Sequence, residues 1–399
     1  MKAENACLRQ VAVHQIQIGK HTQKIQFNKN QFVSREGRVA MSKLLNCDMS
    51  RRSFLAGSAA AAGALALPRM AGAASELNVL AWCDHTDTRL LEPFEKAHGV
   101  KVNVKAYEGT GTGLSLIEQS QPGDWDVFMV DATDVPRIAG NGLFMELSQD
   151  AAPWDDMFEQ LRNSPFAHVD GKLYAVPEKF GYYGVCFNKE KVDVADAKRG
   201  DILWNDKYKG RIAVYDYYFP LIQMIAIGNG WKPTELDEDK LETIRAKLIE
   251  GKANTKLIGD IVSVQNALVS GNVDVIFGGA EFTVSNLIPA NPRLDWVIQD
   301  TGGLIWTQGL TVLASSKRKD LAVEFIKWIM SPKGQGLLAT SDCYWAMPTN
   351  SKAEVDESQK KVLRWDEQPA YLKSSVFSQL PAGDLDARML EVWTEFQQS

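Results

Sequence analysis

Leu77-Asn78-Val79-Leu80-Ala81-Trp82 is a short apolar run, and two further segments follow it almost without a break. Residues 88–98 carry Leu90, Leu91, Phe94 and Ala97 at helical spacing, and Val100-Lys101-Val102-Asn103-Val104 alternates apolar with polar. The first reads as a buried strand, the second as an amphipathic helix and the third as another strand. Thr86 or Asp87 is placed to cap the helix, and Gly99 stands just past its end. A Gly-rich turn, a helix near 114–119 and a strand at 125–130 continue the series. This succession predicts a parallel sheet with helices on both faces. Functional loops are then expected at the carboxyl ends of the strands.

A second set of the same elements begins after Gly181. Residues 212–215 read as a strand, 236–250 as a charged amphipathic helix, 263–270 as a helix stopping at Gly271, and 273–277 as a buried strand. The strand-like 310–314 leads into a helix over 319–330, and Ser331-Pro332 opens another, with serine as N-cap and proline at the first helical position. Two α/β lobes without a low-complexity linker predict a chain that crosses between them more than once.

The beginning of the chain does not belong to this pattern. Ser50-Arg51-Arg52-Ser53-Phe54-Leu55, the apolar run 59–67 and Ala71-Gly72-Ala73 form basic region, short apolar region and cleavage site in order. That is an export signal, and its paired arginines indicate the twin-arginine route. Residues 1–48 show no sustained period and precede a methionine at 49, so translation is expected to start at Met49 or Met41, with 49–73 as the signal. Without 1–73 the chain keeps 33 Lys+Arg against 47 Asp+Glu, a net charge of −14. So acidic a surface argues against nucleic acid and anionic membranes as partners. Cys83, Cys186 and Cys343 have no CxxC or metal-like spacing. They read as three buried thiols, although an oxidising compartment permits one disulfide and one free thiol.

The residues also resemble a known family. Leu91-Glu92-Pro93-Phe94-Glu95, Gly99-Val100-Lys101-Val102, Trp125-Asp126-Val127, Gly171-Lys172-Leu173-Tyr174-Ala175-Val176-Pro177 and Phe187-Asn188-Lys189 look like bacterial extracellular solute-binding proteins of the spermidine/putrescine-binding type. Tyr208-Lys209-Gly210, Gly271-Asn272-Val273-Asp274, Ser331-Pro332 and Met347-Pro348-Thr349-Asn350 extend the similarity over 76–399. The resemblance implies a type II periplasmic-binding fold, with two Rossmann-like lobes joined by a hinge around a ligand cleft. Residues 76–181 and 309–350 would form lobe 1, and 182–308 and 351–399 lobe 2. It further implies a monomeric receptor that needs no cofactor and delivers a solute to an inner-membrane ABC permease. A sensor-coupled receptor, or one for a metal ion or inorganic anion, is the alternative.

In polyamine receptors of this type, rings sandwich the methylene chain and carboxylates hold the ammonium groups. By the resemblance, Trp82 and Trp306 are expected as stacking rings and Phe277 as a third. The acids are only partly present: Gln308 stands where an aspartate is expected, and Tyr217 and Pro220 stand where carboxylates are expected, with Asp216 nearby. His85 replaces a tyrosine and Asp131 a small polar residue; Asp84 and Glu281 are further candidate acids. Gly109-Thr110-Gly111-Thr112-Gly113, before a helix, has the makings of an anion cradle built from N–H groups and the Thr110 and Thr112 hydroxyls. Together these residues point to an amine-bearing solute, either a polyamine or a zwitterion. No GxSxG, HExxH or GxGxxG motif occurs, and His85, His98 and His168 are isolated, so no catalytic constellation is expected.

Overall fold

Asp87 accepts a hydrogen bond from the Arg89 N–H (2.9 Å), and Gly99 adopts φ +64°, so helix α1 (Thr88–His98) begins and ends where its cap residues dictate. Its buried side, Leu90, Leu91 and Phe94, packs on the sheet. The computed structural model describes residues 75–399 apart from Ala382; the upstream segment 1–48 and the signal 49–73 lie outside the described residues. The principal strands are β1 (Ser75–Ala81), β2 (Val100–Ala106), β3 (Val127–Asp131), β4 (Val176–Asn188), β5 (Ile212–Tyr215), β6 (Thr255–Gly259), β7 (Val275–Gly279), β8 (Leu294–Val297) and β9 (Leu304–Val312).

The main sheet runs β2-β1-β3-β9-β4-β7-β5-β6, and β8 also pairs with β4. It is mixed, which corrects the expectation of a parallel sheet. β2, β1 and β3 are mutually parallel, as are β7, β5 and β6, but β9 runs antiparallel to both β3 and β4, and β4 antiparallel to β7. Two parallel three-stranded blocks are therefore joined by one antiparallel pair. The 13-residue strand β4 pairs with β9 up to Tyr183 and with β7 from Gly184 onward. Each block can be built from short right-handed crossovers, whereas the joining pair needs a reversal of chain direction.

The helices follow from capping and burial. Helix α2 (Thr110–Glu118) starts inside the Gly-rich segment, so the expected turn is its first turn. Gly113 is required there because a β-carbon would stand 2.4 Å from the Phe128 ring and 2.9 Å from Tyr107. Helix α3 (Tyr218–Gly228) is buried from Pro220 to Ile227 and so lacks the polar face that would have revealed it in the sequence. Asp237 and Asp260 cap α4 (Glu238–Lys252) and α5 (Ile261–Val269). Ser331 accepts from Gly334 N–H (3.0 Å) between α6 (Lys319–Met330) and α7 (Pro332–Ala339). Helix α8 (Leu385–Gln398) packs Met389, Val392, Trp393 and Phe396 into the core around β5 and β7. Among the described residues no helix is long and apolar enough to cross a membrane.

The three-thiol expectation is also corrected. Cys83 and Cys343 form a disulfide (Cα–Cα 6.0 Å) across 260 residues, both at exposed positions, while Cys186 is a buried free thiol. The pair brings the segment after β1 against the segment after α7, and so closes a long loop. Replacing both cysteines by serine is expected to lower unfolding stability by about 2–4 kcal/mol. Urea denaturation of the oxidised protein and the double variant reads this directly, and equal midpoints would contradict it.

Candidate ligand-binding site

The carboxyl ends of the two parallel blocks face a common region across β4 and β9, where a doubly wound topology places its cleft. From one block come Trp82, immediately after β1, and Asp131, the last residue of β3. From the other come Tyr215 at the end of β5, Tyr217 two residues on, and Glu281 and Phe282 after β7. Between them, Trp306 pairs in register with Gly181, and Gln308 with both Lys179 and Asp131. Cross-strand partners project to the same face, so Asp131, Gln308, Lys179, Trp306 and Tyr183 share one side of the sheet.

On that side the rings form a continuous cluster of edge-to-face contacts. Phe282 meets Trp306 at 5.8 Å, Tyr183 at 5.7 Å and Tyr215 at 6.2 Å between centroids, and Tyr217 meets Tyr183 at 6.3 Å and Tyr215 at 5.9 Å. Both indole N–H groups of this region, Trp82 Nε1 and Trp306 Nε1, are buried without a hydrogen-bond partner. Such groups are rare in a finished interior and common where a ligand or water is to be received.

Two carboxyl groups belong to the cluster. Glu281 is fully buried, and its oxygens accept the Tyr182 backbone N–H at 3.1 and 3.2 Å. It stands so close over β4 that a β-carbon on residue 181 would lie 1.5 Å from Oε1 and 2.7 Å from the Trp306 ring; only glycine fits. Burial pushes the Glu281 carboxyl up to about 8, against the N–H groups it accepts. Asp131 receives the Thr110 hydroxyl at 3.1 Å and donates its own N–H to that hydroxyl at 3.1 Å. Burial, reinforced by Asp134, pushes it up to about 7. Its charge reaches Tyr183, Tyr215 and Tyr217, whose phenols are raised first by burial and then by neighbouring phenols and acids.

Beside the cluster lies a second, fully buried network. Asp84 Oδ1 and Glu178 Oε2 each lie 3.0 Å from a ring nitrogen of His85. Lys179 Nζ donates to Asp84 Oδ2 (2.9 Å) and Leu338 O (3.1 Å), and stands 3.9 Å over the Tyr344 ring. Burial alone would discharge His85, but Glu178 and Asp84 outweigh it and raise the imidazole to about 10. Burial also opposes the Asp84 charge; Lys179 and His85 prevail and hold that carboxyl well below the usual range. Two acids face two bases, so the burial is compensated.

The sequence candidates therefore separate. Thr110, Asp131, Tyr217, Glu281 and Trp306 are brought together, Trp82 stands just past the end of β1, and Gln308 forms a wall whose amide nitrogen donates to the Tyr344 hydroxyl and whose Oε1 is buried without a partner. Asp84 and His85 are not open to a ligand, because every polar atom of both is engaged inside the protein. Phe277 is fully buried, edge-on to Trp204 at 6.2 Å, whereas Phe282 is the ring that belongs to the cluster. Asp216 accepts from Trp393 Nε1 (2.7 Å) and Gln397 Nε2 (2.9 Å) on α8. Thr112 is exposed on α2, and the Thr110 hydroxyl is spent on Asp131, so the expected anion cradle holds a carboxylate of the chain itself. Tyr183, Tyr215, Phe282, Lys179 and Tyr344 were not anticipated; strand-end position marks Tyr215 and Phe282, but nothing local marks the others. Among the described residues no group of three His, Cys, Asp or Glu side chains converges as metal ligands.

The raised carboxyls carry a stability consequence. A folded pKa above the unfolded one, near 4, means that the folded state holds more protons, so the stability this contributes is full below pH 4 and lost as pH rises through 7 and 8. The ligand-free protein should lose stability between pH 6 and 8.5, and Glu281→Gln should flatten that slope. Urea midpoints across this range, identical in slope for wild type and variant, would refute the assignment.

With this geometry in place, comparison with known proteins identifies the family. The family model for bacterial extracellular solute-binding proteins matches residues 89–364, and that for the twin-arginine signal sequence matches 48–68. The spermidine/putrescine-binding periplasmic protein of Escherichia coli is 24% identical over 278 residues, covering 68% of this chain and 78% of its own. The putrescine/agmatine-binding protein of Pseudomonas aeruginosa is 21% identical over 316 residues, covering 75% and 85%. Among solved structures, the spermidine/putrescine ABC transporter substrate-binding protein PotD from Streptococcus pneumoniae aligns with TM-score 0.71 at 19% identity, over 82% of this chain and 99% of that one. AgtB from A. tumefaciens R10, in complex with agropinic acid, aligns with TM-score 0.61 at 19% identity, over 82% and 99%. The family and these neighbours are transport proteins that bind substrate, and their fold is the two-lobed periplasmic-binding fold. The chain belongs to the bacterial extracellular solute-binding proteins, as a periplasmic receptor exported by the twin-arginine route.

Proposed function

We propose that this receptor captures a small amine-bearing organic solute by lobe closure and delivers it to an inner-membrane ABC permease, with no bond made or broken. The observation that carries this reading is Glu281, a fully buried carboxyl beside Trp306 whose hydrogen-bond donors are backbone N–H groups and which makes no salt bridge among the described residues, Lys179 acting on it only at longer range. Burying an unpaired acid in a ring-lined space is costly unless a cation arrives to meet it. Asp131, half-buried and bonded to the Thr110 hydroxyl, offers a second acid from the other block, and five rings between the two offer faces to a methylene chain or an ammonium group. Because the Thr110 donor is already taken, the cleft favours the amine end of a solute over an acidic one.

Closure would bring together lobe 1, residues 76–181 and 309–350, and lobe 2, residues 182–308 and 351–399. The change of partner in β4 after Tyr183 and the packing of α8 against β5 and β7 support these limits. A ligand that touches Asp131 from one side and Glu281 from the other stabilises the closed form by its contacts with both.

Thermal shift of the receptor purified from the periplasm, against putrescine, spermidine, agmatine and γ-aminobutyrate, tests the proposal. A micromolar amine at millimolar concentration should add about 4 kcal/mol of stability. Trp306→Ala and Glu281→Gln should each weaken binding at least about tenfold. Since ammonium binding selects the ionised carboxylates, affinity should rise from pH 6 to pH 8.5 as Asp131 and Glu281 lose their protons. Binding confined to solutes without an amine, or affinity that falls over this pH range, would overturn the reading.

A further inference from the structure

Lysine is among the residue types least often buried, yet Lys179 is fully buried in the middle of the crossing strand. Its surroundings are those that an amine ligand would require: a carboxylate at 2.9 Å (Asp84), a carbonyl at 3.1 Å (Leu338) and a ring face at 3.9 Å (Tyr344). Lys179 is the register partner of Gln308, two residues along β4 from Gly181, and therefore on the face that carries Trp306. Around it, Gln308 Oε1 and Glu178 Oε1 are buried acceptors without donors. A cation of the chain thus sits beside Asp84 and Gln308 on the face of the aromatic cluster, while Asp131, on the far side of Gln308, and Glu281 make no salt bridge among the described residues.

We propose that Lys179 is a specificity-determining residue: its ammonium group fills, from inside the protein, the cation position between Asp84 and Gln308, so the solute's cationic groups are left to Asp131 and Glu281. The assignment rests on the amine reading of the site. It explains why Gln308 can be uncharged: an acid there would find its cation already in place. It also gives Tyr344 a role, since the ring caps Lys179 Nζ while the hydroxyl accepts from Gln308 Nε2. The Cys83–Cys343 disulfide, one residue from Asp84 and one from Tyr344, ties together the two segments that hold the lysine.

The test is an affinity ladder measured by calorimetry on the full receptor with n-butylamine, putrescine and spermidine, one, two and three cations. For the wild type, affinity should stop rising after the cations that Asp131 and Glu281 can meet, so spermidine binds within about threefold of putrescine. Lys179→Met vacates the inner position, and spermidine should then gain at least about tenfold over putrescine, the scale of one desolvated cation contact. A folded Lys179→Met protein with an unchanged ladder overturns the assignment. Gln308→Asp, with Lys179 retained, tests it independently of that variant's folding. Spermidine affinity should move by less than about threefold, because Lys179 answers the new charge, and a tenfold gain would show that this position is open to the ligand. If no amine binds the wild type at all, the amine reading itself fails and takes this assignment with it.

Discussion

Strand β4 meets two demands that compete. Its first half must lie antiparallel to β9, which itself lies antiparallel to β3; its second half must lie antiparallel to β7, the edge of the other parallel block. At the change of partner the backbone carries Gly181 and Gly184, and neither could be anything larger. A β-carbon at 184 would stand 2.3 Å from the Val297 carbonyl, and one at 181 would collide with Glu281. The close approach of the Glu281 carboxyl to bare backbone is therefore what lets the end of β7 reach the middle of the sheet. Once it is there, Phe282 can touch Trp306, and residues from both blocks converge on one place. Without a reversed pair at the centre, the two parallel blocks would end at separate edges.

The same strand divides two kinds of buried charge. Asp84, His85, Glu178 and Lys179 satisfy one another, and a polar network that is almost fully satisfied stiffens what it joins. Glu281 and Asp131 are left with backbone or hydroxyl donors and raised pKa values, which marks them as groups whose ionised form has no base to meet. Removing one partner from the first group would leave an uncompensated buried charge. Bringing a cation to the second group would remove one. Buried polar groups that cost stability tend to persist where function uses them, and here they stand beside five rings and the unpaired indole N–H of Trp306.

How much of this could be read in the sequence depends on how local each cause is. The parallel blocks were legible because periodicity and capping are local: Asp87, Gly99 and Ser331 act on their own helices. The antiparallel joint was not, since strand direction is settled by distant partners and β4, buried on both faces, has no alternation. Helix α3 was hidden for the same reason. Strand-end reasoning named Asp131, Glu281 and Trp306, which the structure places on one face of the sheet, and named Phe277 rather than Phe282. The difference is that Phe277 lies within β7 and faces the Trp204 side, whereas Phe282 lies past its end. Asp84 and His85 had the right address, yet Lys179 claims Asp84 and Glu178 claims His85, each more than ninety residues away in sequence. Pairing of Cys83 with Cys343 was likewise beyond reach, because three cysteines without a spacing signature leave the choice open.

A receptor of this kind also needs its open and closed forms to be close in free energy when empty, since a ligand can shift the balance only by its differential affinity for the two. Ring contacts among Tyr183, Tyr217 and Phe282 lie within the proposed lobe 2, so they shape that wall of the cleft and favour neither form. Across the cleft, Asp131 opposes closure of the empty receptor, because separating the lobes would return its carboxyl to water. A cation arriving between Asp131 and Glu281 relieves that opposition, which is best served by acids that make no salt bridge within the chain. A base beside either would hold the empty cleft shut, while an apolar residue in their place would leave nothing for an amine to satisfy. The satisfied network around Lys179 lies outside this balance, since its charges are matched within one wall of the cleft.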